Sequence, residues 1–119
     1  MAEIKEERVV VSPESATLLR VELVQIHSDG IDMGGALVLE RSAAAWLAEQ
    51  VASAADTYGF AEVDAEHGPD HFTVYVGGSD WQPFVHVHNQ RAAAAELGGV
   101  YALGMTVDAA RSLAEQLRR

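Results

Sequence analysis

His86 and His88 stand two residues apart in the stretch FVHVHNQR, Phe84 to Arg91. Successive side chains of a strand alternate between faces, so both imidazoles project from the same side, about 7 Å apart. Two neutral imidazoles at that separation suit a shared metal ion or a general acid/base pair. A metal needs a third ligand, and the candidates are His27 and the group EHGPDH, with Glu66, His67, Asp70 and His71. None of these completes a known signature. The next Glu after His88 is Glu96, too distant for the H-x-H and Glu set of the cupins, and H-x-H-x-D-H and H-E-x-x-H are absent. Gly68-Pro69 separates the two histidines of HGPDH, which places them on a loop rather than a helix face. The simpler account makes all of them polar residues on a sheet face or at loop tips, so neither a metal nor a cofactor is expected.

Other catalytic grammars are missing as well. There is no cysteine, hence no thiolate nucleophile, thiolate zinc site or disulfide. A G-x-S-x-G elbow, a Walker A loop and G-x-G-x-x-G do not occur. Gly77-Gly78-Ser79-Asp80 reads as a hairpin turn. So does Asp29-Gly30, because HSDGIDMGG lacks the D-x-D-x-D-G order and closing Glu of a calcium loop.

The charge balance narrows the partners. Eighteen carboxylates face eight Lys and Arg, a formal charge of -10. Between Val21 and Gln90 eleven carboxylates are opposed by Arg41 alone. Such a field repels phosphate backbones and attracts basic surfaces, so a nucleic-acid ligand is not expected and a basic protein partner is. The start, MAEIKEER, is acidic without an apolar h-region, and no apolar run approaches the length of a membrane span. A cytoplasmic location without membrane contact is the expectation.

The elements that must position the histidines come next. With 119 residues, 49% of them hydrophobic, the chain suits a single domain over 1–119, with residues 1–8 expected to be disordered. ALVLERSAAAWLAEQV (Ala36–Val51) and ALGMTVDAARSLAEQL (Ala102–Leu117) agree at eight of sixteen positions, and a Gly-Gly pair precedes each. This suggests an internal repeat over 9–55 and 70–119. Each copy runs from a strand into an amphipathic helix, with Ser42 and Thr106 as expected N-caps. Trp46, Leu47, Val51, Ala54 and Ala55 in one helix, and Ala110, Leu113, Ala114 and Leu117 in the other, mark the stripes expected to be covered.

RVVV, LLRVELVQI and GGALVLE read as strands before the first helix. HFTVYV, WQPFVHVH and GGVYALGM do so before the second, and FAEVD is an extra strand or a loop. The spacing predicts an α+β fold, a tandem β-β-β-α repeat forming a mostly antiparallel sheet of about six strands with two helices on one face. Trp81, Pro83, Val85 and Val87 then face the helices, while Phe84, His86 and His88 share the open face with Tyr75 and Tyr101. These five residues are the expected binding surface. The function expected is non-catalytic binding, as an acidic inhibitor, immunity or adaptor protein acting on a basic protein partner, with homodimerisation through the open face. The alternative is a small metal- or ligand-dependent enzyme built on His86 and His88, with His27, His67 or His71 as third group.

Overall fold

The computed structural model describes residues 3–30, 34–57, 59–79, 82–91 and 102–119. The chain forms β1 (Ile4–Pro13), β2 (Leu18–His27) and β3 (Gly35–Glu40), then a short 3-10 turn (Arg41–Ala43) and α1 (Ala44–Asp56). β4 (Val63–His67), β5 (Asp70–Ser79), β6 (Gln82–Asn89), β7 (Ala102–Thr106) and α2 (Val107–Leu117) follow. The fold is α+β, but the strands make two antiparallel sheets rather than one of six: β1-β2-β3 and β4-β5-β6-β7. β1 starts at Ile4, four residues before the expected RVVV strand, and Glu6 to Arg8 already pair with Ile26 to Val24. FAEVD belongs to a genuine extra strand, shifted to Val63–His67 and paired with β5. Its hairpin to β5 turns at Gly68-Pro69, where Gly68 has φ 59. A glycine at the first central position and a φ-restricted proline at the second are the residues a tight two-residue turn demands.

Alternation places the core. Phe72 and Val74 on β5, Val85 and Val87 on β6, and Leu103 and Met105 on β7 are all buried, as are Val21 and Leu23 on β2 and Leu37 and Leu39 on β3. They join Leu47, Val51, Ala54, Ala110, Leu113 and Leu117 of the helices in a single cluster. Of the expected helical stripes, Trp46 and Ala55 are partly buried against this core and the other residues are fully buried. Thr106 caps α2, its hydroxyl accepting from Ala109 N at 3.3 Å. Ser42 does not cap the first helix. The 3-10 turn intervenes, and the N-cap of α1 is Ala43, which offers no side-chain acceptor.

The helices cross over. α1 leaves β3 and packs on β5 and β6 of the other sheet, while α2 packs on β1 as well as on β6 and β7, and the two helices pack on each other. Gln116 of α2 binds the outer edge of β1 with both ends of its amide, accepting from Val11 N at 2.9 Å and donating to Val9 O at 2.8 Å. These two groups of the edge strand are thereby taken and are not offered to another strand.

Two polar clamps explain why the sheets stay separate. On the free edge of β3, Asn89 Nδ2 donates to Val38 O at 2.9 Å, and Asp70 Oδ2 accepts from Glu40 N at 2.8 Å. On the free edge of β7, Gln25 Nε2 donates to Gly104 O at 2.8 Å, and Glu7 Oε2 accepts from Thr106 N at 3.1 Å. Within each clamp the amide also donates to the carboxylate, at 3.1 Å from Asn89 to Asp70 and 2.7 Å from Gln25 to Glu7. Val38 and Gly104, like Glu40 and Thr106, are the positions that the Ala36–Val51 and Ala102–Leu117 segments align. The backbone groups another strand would have used are satisfied by side chains reaching from the opposite half, which meets the requirement that buried peptide groups be paired.

Candidate functional site

The outer face of the four-stranded sheet collects most of the residues singled out from the sequence. β5 and β6 are in register with Tyr75 opposite His86 and Thr73 opposite His88, and Gly104 of β7 lies opposite His86. The Tyr75 and His86 rings stack, with centroids 4.6 Å apart and planes within 6°. The Tyr75 hydroxyl sits 3.3 Å from His88 Nε2, and the His88 ring meets the tyrosine edge-on at 5.3 Å. Phe84 lies on the same face one step further along β6, half-buried like the two histidines. Tyr101, the fifth expected residue, lies outside the described residues, as do Trp81 and Asp80.

Glycines set the position of His86. A Cβ on Gly77 would come within 3.0 Å of His86 Nε2, and one on Gly104 within 3.0 Å of Nδ1. The imidazole therefore lies flat across two positions that carry no side chain, leaning on Tyr75. This cross-strand pairing of an aromatic ring with glycine is not legible from an H-x-H motif. Burial lowers the His86 pKa from 6.5, and the neighbouring His88 pushes in the same direction. The folded state thus holds this imidazole neutral more firmly than the unfolded chain does. The protonated form is the one disfavoured on folding, so stability is lost as pH falls below 6.5 towards the depressed folded pKa and is constant beneath it. Gly104→Ala should tilt the ring off Tyr75 into solvent and return its pKa towards 6.5. A titration of the His86 ring by NMR reads this directly, and an unchanged midpoint would show that the glycine does not seat the ring.

An acidic rim borders this centre. On β4, Asp64 and Glu66 point to the same outer face, with side chains 57% and 79% exposed. Asp64 makes a short contact with His71 Nε2 and accepts from the Thr73 hydroxyl at 3.1 Å. The His71 hydrogen bond outweighs the opposing effect of burial and, with a lesser contribution from the Thr73 bond, holds the Asp64 pKa below its ordinary value. Glu66 is 3.7 Å from His71 Nδ1.

The EHGPDH group is divided by the pleat. His71 and Glu66 face outwards, whereas His67 turns inwards and meets the Trp46 ring at 4.5 Å, with the planes tilted by 42°. Asp70 is buried in the clamp, where Arg91 joins it: Arg91 Nη1 donates to Asp70 Oδ1 at 2.7 Å and Nη2 to Glu40 Oε1 at 3.3 Å. Burial works against the Arg91 charge, but Asp70 and then Glu40 outweigh it, and the guanidinium pKa is raised. His27 ends β2 in the other sheet, its Nε2 buried without a partner among the described residues. Among the described residues no group of three or more His, Asp or Glu converges in a way that could hold a metal ion. The face therefore brings together Tyr75, Phe84, His86 and His88, and does not bring His27 or His67 to them. What the motif search missed was the clamp of Asp70, Asn89, Glu40 and Arg91. Its one sequence trace is the polar pair Asn89 and Arg91 closing an apolar strand.

No protein-family model matches the chain, and no curated protein matches it significantly. Among the described residues no helix is long and apolar enough to cross a membrane.

Proposed function

We propose that this chain works by binding, without catalysis, and that the outer face of β4–β7 receives a basic protein surface. The carrying observation is the arrangement on that face. Tyr75, His86 and His88 form a stacked, half-buried aromatic centre, and the exposed Asp64 and Glu66 carboxylates border it. Protein interfaces concentrate their energy in rigid aromatic centres surrounded by a polar rim. A partner Arg or Lys placed over the Tyr75–His86 stack gains a cation–π contact, and the rim supplies the opposite charge. A neutral His86 suits a cationic ligand, and its pKa is lowered. The formal charge of -10 would steer such a partner towards the chain. An inhibitor, immunity or adaptor role is the class of activity this describes. The tandem β-β-β-α repeat belongs to the same proposal, supported by the two corresponding clamps and the eight matched positions.

The test is a photo-crosslinking residue at position 84, with the captured chain identified and rebound in pure form. A basic partner is expected, whose association rate falls as salt rises above the range where charges about 8–10 Å apart still interact. Its affinity should fall as pH is taken below 6.5 towards the lowered His86 pKa, because protonating His86 sets positive charge against positive charge. A Tyr75→Ala, His86→Ala variant should not bind. Capture of a second copy of this chain would replace the basic partner by a homodimer. Capture of an acidic partner, or a salt-independent rate, would reject the reading.

A further inference from the structure

The opposite side of the four-stranded sheet presents a second surface, of the other sign. An open groove of about 900 Å³ runs between the end of β1, the start of α1 and the end of α2. Its apolar wall is Val11, Leu19 and Trp46, all partly buried against the core. Trp46 is held by its contacts with His67 at 4.5 Å and Phe72 at 5.8 Å between ring centroids. The groove is also lined by Arg41, Arg118 and Arg119. That is three of the eight cationic side chains in a chain of net charge -10.

These arginines are largely uncommitted. Arg41 donates to the Ser15 carbonyl at 3.3 Å and, like Arg118, makes no ion pair among the described residues. Arg119 reaches Glu115 at 3.4 Å, with both side chains 72% exposed, a pair of negligible strength in water. By contrast Arg20, Arg91 and Arg111 are each tied to a carboxylate of the same chain. The start of α1 adds to the same field. Ala44 and Ala45 line the groove, the N-cap Ala43 supplies no acceptor, and no acidic residue occupies the first turn. The positive end of the helix dipole is therefore left without a counter-charge of its own. Among the described residues Glu49 supplies the one carboxylate side chain on the wall, against three guanidiniums.

We propose that this groove binds an acidic peptide segment, its carboxylates on Arg41 and Arg118 and an aliphatic or aromatic anchor on Trp46. Guanidinium forks match carboxylate geometry, and a preformed indole flanked by Leu19 and Val11 gives the anchor an apolar seat without ordering a loop. The site is independent of the basic-partner face and lies across the sheet from it. A chain carrying both can join a basic protein to an acidic segment, which is the action of an adaptor.

The experiment uses the full chain and an array of short synthetic peptides graded in Glu and Asp content, each with and without a central Leu or Trp. Binding should rise with carboxylate number, require the anchor, and weaken about tenfold in an Arg41→Glu, Arg118→Glu variant whose thermal unfolding is unchanged. Trp46 emission should shift on binding in a Trp81→Phe background. A flat array, a preference for Lys-rich peptides, or binding unaffected by the charge reversal overturns the proposal. So does concentration-dependent self-association abolished by the same variant, which would make a second copy of the chain the occupant. The Tyr75→Ala, His86→Ala variant should bind the acidic peptides normally, so failure here is separable from failure of the sheet-face reading.

Discussion

Replacing Asp70 by Asn should destabilise the folded chain by about 3–5 kcal/mol, the range for removing one partner of a buried ion pair. The Asp70 side chain is fully buried and that of Arg91 is 10% exposed. The carboxylate accepts from three donors: Arg91 Nη1, Asn89 Nδ2 and Glu40 N. Asn keeps the shape but loses the charge, and its amide turns donors towards donors. Among the described residues Arg91 would be left buried with Glu40 as its remaining counter-charge and with its Nε already lacking a partner. The clamp also joins β3 to β5 and β6, so the loss weakens the junction of the sheets as well as a local contact. Urea unfolding monitored by far-UV circular dichroism measures it, as a lower midpoint with little change in slope. Pairing Asp70→Asn with Arg91→Met should recover part of the loss, since the uncompensated charge goes with the arginine. A single variant within about 0.5 kcal/mol of the parent would mean that the clamp is not energetically coupled to folding.

Leu47→Ala and Leu113→Ala should each destabilise by about 2–4 kcal/mol. These leucines are 0% and 1% exposed and occupy aligned positions of the two helices. Each truncation removes buried methyl groups and leaves a cavity in a core that both sheets share. Because α1 and α2 pack on each other, the double variant should depart from the sum of the single effects. Additive losses would show that the two sites relax independently. A loss below about 1 kcal/mol at either would show that the helix there can collapse onto its sheet.

The sequence by itself determined the type and order of nearly every element, because periodicity is a local property. Alternation in HFTVYV and FVHVH assigned Phe72, Val74, Val85 and Val87 to the core, and Tyr75, His86 and His88 to the other face. The helical stripes and the Thr106 cap were legible for the same reason: each depends on residues within about one turn of one another. The turn at Gly68-Pro69 was equally local, as a matter of allowed φ values. Ser42 failed as a cap because the chain takes a 3-10 turn before α1, a choice the side-chain pattern does not encode.

What the tertiary structure decided is the fate of the polar residues. Glu7, Gln25, Asp70 and Asn89 look in sequence like ordinary surface groups, yet they occupy the free edges of β3 and β7. By satisfying the backbone there they divide one expected sheet of six strands into sheets of three and four. The same holds for the histidines, whose types and spacing were equal to several chemistries. Placement of His86 between two glycines and beneath Tyr75, with His67 turned to Trp46 and His71 bound to Asp64, separated them. Those partners are many residues away or on other strands. A hydrogen bond or a ring stack between distant segments leaves no periodic trace in the chain, so its site becomes visible once the strands are in register.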